Sequence, residues 1–132
     1  MKVGILSFQG SFLDHSKSIL SIGATPVLIK NEADIYELDA LILPGGESTA
    51  MKKIDSYSKV FSLLDDFINS GKPTLSTCAG TILLAKDVIG GDTTIPNIDI
   101  QVTRNAYGRQ TESFEGSVSF YDNNDIYCFI RA

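Results

Sequence analysis

Pro73-Thr74-Leu75-Ser76-Thr77-Cys78-Ala79-Gly80-Thr81-Ile82-Leu83-Leu84 decides the fold. Pro73 to Thr77 reads as a short strand, Cys78 stands where it ends, and Ala79 to Val88 reads as a helix. A strand that turns directly into a helix is the repeating unit of a parallel α/β sheet. Upstream, Val3 to Phe8 is a buried strand closed by Gln9-Gly10, and Ser11 can cap a helix carrying Phe12, Leu13, Ile19 and Leu20 that stops at Gly23. Pro26 to Lys30 and Ala40 to Leu43 supply two more strands, the latter stopped by Pro44-Gly45-Gly46. Val60, Leu63, Leu64, Phe67 and Ile68 recur at helical spacing between Ser58 and Ser70, with Gly71 as the stop and Pro73 beyond. From Ile95 onward the pattern changes, and Ile98 to Thr103, Gly116 to Tyr121 and Asp125 to Ile130 read as successive strands. The expected fold is α/β: a three-layer open sheet, mainly parallel, with an antiparallel extension and helices on both faces.

Bulk properties fit one such unit. At 132 residues the chain can bury one core but not two, and 43% hydrophobic with 20% charged residues is ordinary globular composition. A net charge of -5 without a Lys/Arg run argues against a nucleic-acid surface. Apolar runs such as Ala40 to Leu43 are too short to span a bilayer, and Met1-Lys2-Val3-Gly4-Ile5-Leu6 leads straight into a strand rather than a signal peptide. The two cysteines, Cys78 and Cys128, form no disulfide framework, and a single histidine, His15, forms no metal cluster. The expectation is a reduced, cytoplasmic protein without metal or cofactor.

In parallel sheets, ligands sit outside the carboxyl ends of the strands. Two loops should open there: Pro44-Gly45-Gly46-Glu47-Ser48-Thr49 and Ser76-Thr77-Cys78-Ala79-Gly80. A cysteine between strand and helix, with glycine two positions on, resembles a nucleophile elbow, in which a tight turn pushes the side chain outward. Such a sulfur lies at a helix N-terminus, where partial positive charge favours anions. Backbone N–H groups at Ala79 and at Gly45-Gly46 could converge on an oxyanion, and glycine leaves that loop open to substrate. An isolated cysteine is more often a buried, inert thiol; the turn context reverses this for Cys78, whereas Cys128, inside a strand, keeps it. Pro44-Gly45-Gly46 taken alone is equally an ordinary turn, and His15 reads as a surface histidine.

Together these residues resemble the glutaminase subunit of pyridoxal 5′-phosphate synthase, a class I glutamine amidotransferase family. The resemblance rests on Gln9-Gly10, Leu43-Pro44-Gly45-Gly46-Glu47-Ser48-Thr49 and Thr77-Cys78-Ala79-Gly80. It continues through Arg104-Asn105-Ala106-Tyr107-Gly108-Arg109-Gln110, Ser113-Phe114-Glu115 and Phe129-Ile130-Arg131-Ala132. It implies a flavodoxin-like fold and a glutaminase in which Cys78 attacks the side-chain amide of L-glutamine, forms a thioester and expels ammonia. Gly46, Glu47 and Ser48 match the glutamine-holding loop; Arg104, Ile130 and Arg131 match the other glutamine contacts. The implied partner is a (β/α)8-barrel synthase subunit that uses the ammonia to build pyridoxal 5′-phosphate. By residue chemistry alone, Arg104 and Arg131 are equally solvated strand-end cations, and Glu47 a favourable charge in a helix's first turn.

Two departures stand out. Ser76 occupies a position where the family usually has glycine, so its hydroxyl is expected to crowd the turn modestly. The resemblance also implies a further stretch carrying a His-x-Glu pair, so residues 1–132 are expected to be one amidotransferase domain cut short, with no base assignable to Cys78. A non-catalytic partner that only docks on the synthase, and another α/β cysteine hydrolase, are the competing readings. A dinucleotide-binding module is the weakest, since no G-x-G-x-x-G follows the first strand.

Overall fold

A computed structural model describes residues 1–129. Strands β1 (Lys2–Leu6), β2 (Thr25–Ile29), β3 (Ala40–Leu43) and β4 (Thr74–Ser76) form an all-parallel sheet in the order β2-β1-β3-β4. The pleat sends alternate side chains to opposite faces. Leu6, Leu41 and Leu43 enter one core with Met51 and Leu64, while Val3, Ile5 and Ile42 enter a second core with Ile19. Helix α1 (Phe12–Ser21) covers that second face; α2 (Ser48–Ser58), α3 (Val60–Asn69) and α4 (Ala79–Leu84) cover the first. The parallel α/β class and the helices on both faces are as expected.

The helix read between Ser58 and Ser70 is α3, and the helix ahead of it, α2, was not read. Lys59 closes α2 in the left-handed region at φ 57°, and the Asp55 carboxylate accepts a hydrogen bond of 2.8 Å from the Phe61 N–H. That acceptor satisfies one of the donors a new helix leaves open, so a second helix can start one residue on.

The second half differs from expectation. Helix α4 ends at Leu84, not Val88, and Ala85–Ile89 is strand β5. It pairs in parallel with β6 (Ile98–Thr103), which was expected in an antiparallel extension. β-branched Val88 and Ile89 favour the strand, and β6 offers them a ladder that a helix would forgo. Strands β7 (Phe114–Phe120) and β8 (Asn123–Phe129) are antiparallel, as the pattern predicts, but form their own two-stranded sheet. Among the described residues they therefore do not extend the four-stranded sheet. Tyr107 ties the base of this hairpin to the turn after β6, lying edge-on to Phe114 and Phe129 at 5.2 and 5.8 Å between ring centres. No helix among the described residues is long and apolar enough to cross a membrane.

Candidate active site

Because β1, β3 and β4 run parallel, their carboxyl ends share one edge, and the order reverses between β1 and β3. The loops leaving these strands meet there. Cys78 joins β4 to α4 with φ 45° and ψ −110°, a backbone conformation that L-residues rarely adopt. Two neighbours make the bend possible. Gly80 lies so close to β3 that an added Cβ would fall 2.1 Å from the Leu43 carbonyl oxygen. Ala79 is buried at the start of α4, where its N–H has no intrahelical acceptor. The thiol itself is exposed.

The glycine loop is fixed from the other side. The Ser11 N–H donates to the Gly45 carbonyl at 3.0 Å and the Ser11 hydroxyl contacts the same oxygen at 3.4 Å. With no cis peptide present, the Gly46 N–H points away from Ser11. The Gln9 side-chain oxygen accepts from the Glu47 N–H at 2.6 Å. A Cβ on Gly46, whose φ is 157°, would sit 2.4 Å from that Gln9 oxygen, and a Cβ on Gly45 would lie 3.3 Å from the Cys78 Cβ. Both positions therefore favour glycine for reasons of space.

These loops open on a cavity of about 490 Å³. Cys78 and Ala79 line it beside Gly46, Glu47 and Ser48; Thr103, Arg104, Cys128 and Phe129 form the opposite wall. Arg104 is only 21% exposed and pairs with Glu47 at 3.5 Å, while the Thr49 hydroxyl donates to Glu47 at 2.9 Å. Cation and carboxylate thus occupy one rim, where they could exchange each other for the two charges of an amino acid. Behind them, burial lowers the Lys52 ammonium from its usual pKa; Asp92 opposes this and the Arg104 charge adds to it. Lys52 donates to the Asp92 carbonyl at 2.5 Å and so anchors the loop leading to β6.

Cys78, Gly45, Gly46, Ala79, Glu47, Ser48 and Arg104 are brought together; Ile130 and Arg131 lie outside the described residues. Three expectations need correction. Cys128 is not buried: it is exposed on β8 and lines the same cavity as Cys78. A two-stranded ribbon covers neither of its faces, so a mid-strand position here does not imply burial. His15 is half-buried, with Nε2 3.4 Å from the Thr77 hydroxyl. The Ser76 hydroxyl does not crowd the elbow; it lies 3.0 Å from the Thr81 hydroxyl and clasps the strand to the first turn of α4. Gln9 and Ser11 were missed as supports of the glycine loop, although Gln9-Gly10 belonged to the recognisable motif. Among the described residues, no group of three or more His, Cys, Asp or Glu side chains is placed to hold a metal.

A strained cysteine elbow, a glycine loop facing it and a paired cation and carboxylate on an α/β sheet are the parts that a cysteine-dependent enzyme acting on an amino-acid-like substrate requires. The profile of the SNO glutamine amidotransferase family matches residues 5–132, and the chain belongs to that family. A pyridoxal 5'-phosphate synthase subunit PdxT from Bacillus cereus (strain AH187) is 46% identical over 100% of this chain and 69% of the relative. Another, from Oceanobacillus iheyensis, is 40% identical over 99% of this chain and 68% of its own length. A solved crystal structure of a glutamine amidotransferase superposes with a TM-score of 0.83 at 33% identity, covering 98% of this chain and 71% of that one.

Proposed function

We propose that residues 1–132 belong to a glutaminase domain in which Cys78 releases ammonia from L-glutamine for a pyridoxal 5′-phosphate synthase subunit built as a (β/α)8 barrel. The observation that carries this reading is the placement of Cys78 at φ 45° on the wall of a cavity whose rim holds both Glu47 and Arg104. The Cys78 sulfur attacks the side-chain amide carbon, and the carbonyl π pair moves onto oxygen. N–H groups of the Gly45-Gly46 loop and of Ala79 stabilise that oxyanion. Its collapse breaks the C–N bond, the nitrogen takes up the proton that the thiol gave up and leaves as ammonia, and water hydrolyses the thioester to glutamate and the free thiol. Gly46, Glu47, Ser48 and Arg104 hold the substrate: the carboxylate of Glu47 suits the α-ammonium, and the guanidinium of Arg104 suits the α-carboxylate. Ile130 and Arg131 complete the set by family resemblance. Two free thiols suit a reducing, cytoplasmic setting.

Calorimetric titration with L-glutamine tests the assignment. Arg104→Ala should weaken binding by about 1–3 kcal/mol, the cost of a lost charged hydrogen bond. Unchanged affinity would remove Arg104 from the site, and no heat of binding by the parent chain would overturn the substrate.

A further inference from the structure

Helix α1 sits at the junction of the two loops that make the site. Ser11 leads into its first turn, its carbonyl accepting from the His15 N–H at 3.3 Å, and residues one turn apart on a helix share a face. Ser11 and His15 stand in that relation. Ser11 holds the glycine loop through the Gly45 carbonyl, and His15 reaches the elbow through the Thr77 hydroxyl. One helical face therefore touches both halves of the site.

Thr77 immediately precedes Cys78 and is tied on both sides of the elbow. Its N–H donates to the Leu43 carbonyl at 3.0 Å and its carbonyl accepts from the Gly80 N–H at 2.9 Å. The contact with His15 Nε2 at 3.4 Å is its third tether and the one made by its side chain. Cys78 follows at φ 45° and ψ −110°, a conformation that persists only where its surroundings over-determine it. Helix α4, of six residues, is too short to impose that geometry unaided. His15 is not among the residues lining the cavity; its contact with the elbow is the one to the Thr77 hydroxyl.

We propose that His15 is a positioning residue: through Thr77 it holds the elbow in the orientation that presents the Cys78 thiol to the cavity. This rests on Cys78 being the nucleophile of the proposed function. Cys128 offers an internal control, being a second exposed thiol on the same cavity without a tether to α1.

The test is the rate of alkylation of each cysteine by iodoacetamide, resolved by peptide mass spectrometry, in the parent chain and in His15→Leu, Thr77→Val, the double variant and His15→Gln. His15→Leu and Thr77→Val should each slow Cys78 by about threefold, the size of a modest hydrogen bond, and leave Cys128 unchanged. The double variant should slow it no further, and His15→Gln, whose amide can replace Nε2, should restore the rate. A Cys78 rate in His15→Leu equal to or above the parent's, or single effects that multiply in the double variant, would overturn the proposal. Thr77→Val removes only a hydroxyl and carries the test if His15→Leu fails to fold. Protection of Cys78 by L-glutamine is measured alongside in the parent chain. Its absence with the His15 dependence intact would overturn the substrate but not the positioning role; protection without that dependence would do the reverse.

Discussion

The two halves of this chain bury their apolar residues to different extents: beyond Leu84 only Ala85, Val88 and Ile95 are buried among the described hydrophobic residues. In residues 2–84, strand and helix side chains interleave on both faces of a parallel sheet, and Ile5, Leu43 and Leu64 are fully buried. In residues 85–129, strands pair only with a sequence neighbour; Ile126 on β8 is 71% exposed and Tyr121 at the hairpin tip 91%. Each half contributes one wall of the cavity. The wall that bears Cys78 is set by a packed core; Arg104 follows a ribbon that Ile95 ties into that core, and Cys128 stands on the β7–β8 ribbon, held by its own ladder and the ring cluster around Tyr107. The strained elbow comes from the first, and the proposed substrate contacts come from both.

Hydrogen exchange should show the largest contrast. Two-stranded ribbons are marginal alone, so amides of β7 and β8 should exchange more than about 1,000-fold faster than those of β1 and β3. Equal protection would mean that the two halves open as one unit. Truncation in the core comes next. Leu64→Ala should cost about 2–5 kcal/mol in denaturant unfolding, against under about 0.5 kcal/mol for Ile126→Ala. Glycine substitution gives a smaller difference of the same kind. Gly80→Ala forces a Cβ against the Leu43 backbone and should cost about 3 kcal/mol, at the upper end of overpacking. Gly116→Ala meets the edges of the Phe129 and Phe114 rings at 3.2 and 3.5 Å, no backbone, and should stay within about 0.5 kcal/mol.

What was legible in the sequence divides along the same line. Ala40 to Leu43 was readable as a short continuous apolar run stopped by Pro44-Gly45-Gly46, and the Val60 to Ile68 stripe because burial of one helical face leaves a helical period. The elbow was readable because Cys78, Ala79 and Gly80 concentrate small residues where backbone must approach backbone. The end of α4 was not, since Ala79 to Val88 is apolar enough for either state and pairing with β6 decided it. Cys128 was misread for a related reason: a strand pattern reports alternation, not whether a second layer covers it. His15 was invisible because its partner, Thr77, is remote in sequence and met only through the fold.

The smallest expected effect is electrostatic, at the rim far from the site. Lys2 and Glu37 form an exposed pair at 2.8 Å. Their hydrogen bond, then their mutual charge, raises the Lys2 pKa above 10.5 and lowers that of Glu37 below 4.5. Glu37 therefore adds stability above pH 4.5 that is lost as pH falls below it, and Lys2 adds stability below pH 10.5 that is lost above it. The melting temperature of Glu37→Gln should lie slightly below the parent's at neutral pH and converge with it in acid; a constant offset would show that charge is not the cause.

The most direct test sets the two thiols against each other. A glutamine-mimicking electrophile is added to the folded chain, and each cysteine peptide is quantified by mass spectrometry. If the elbow makes the nucleophile, Cys78 is labelled preferentially, L-glutamine suppresses that labelling, and Cys128, on the same cavity, stays largely unmodified. Preferential labelling of Cys128, or labelling of Cys78 indifferent to glutamine, would contradict the account.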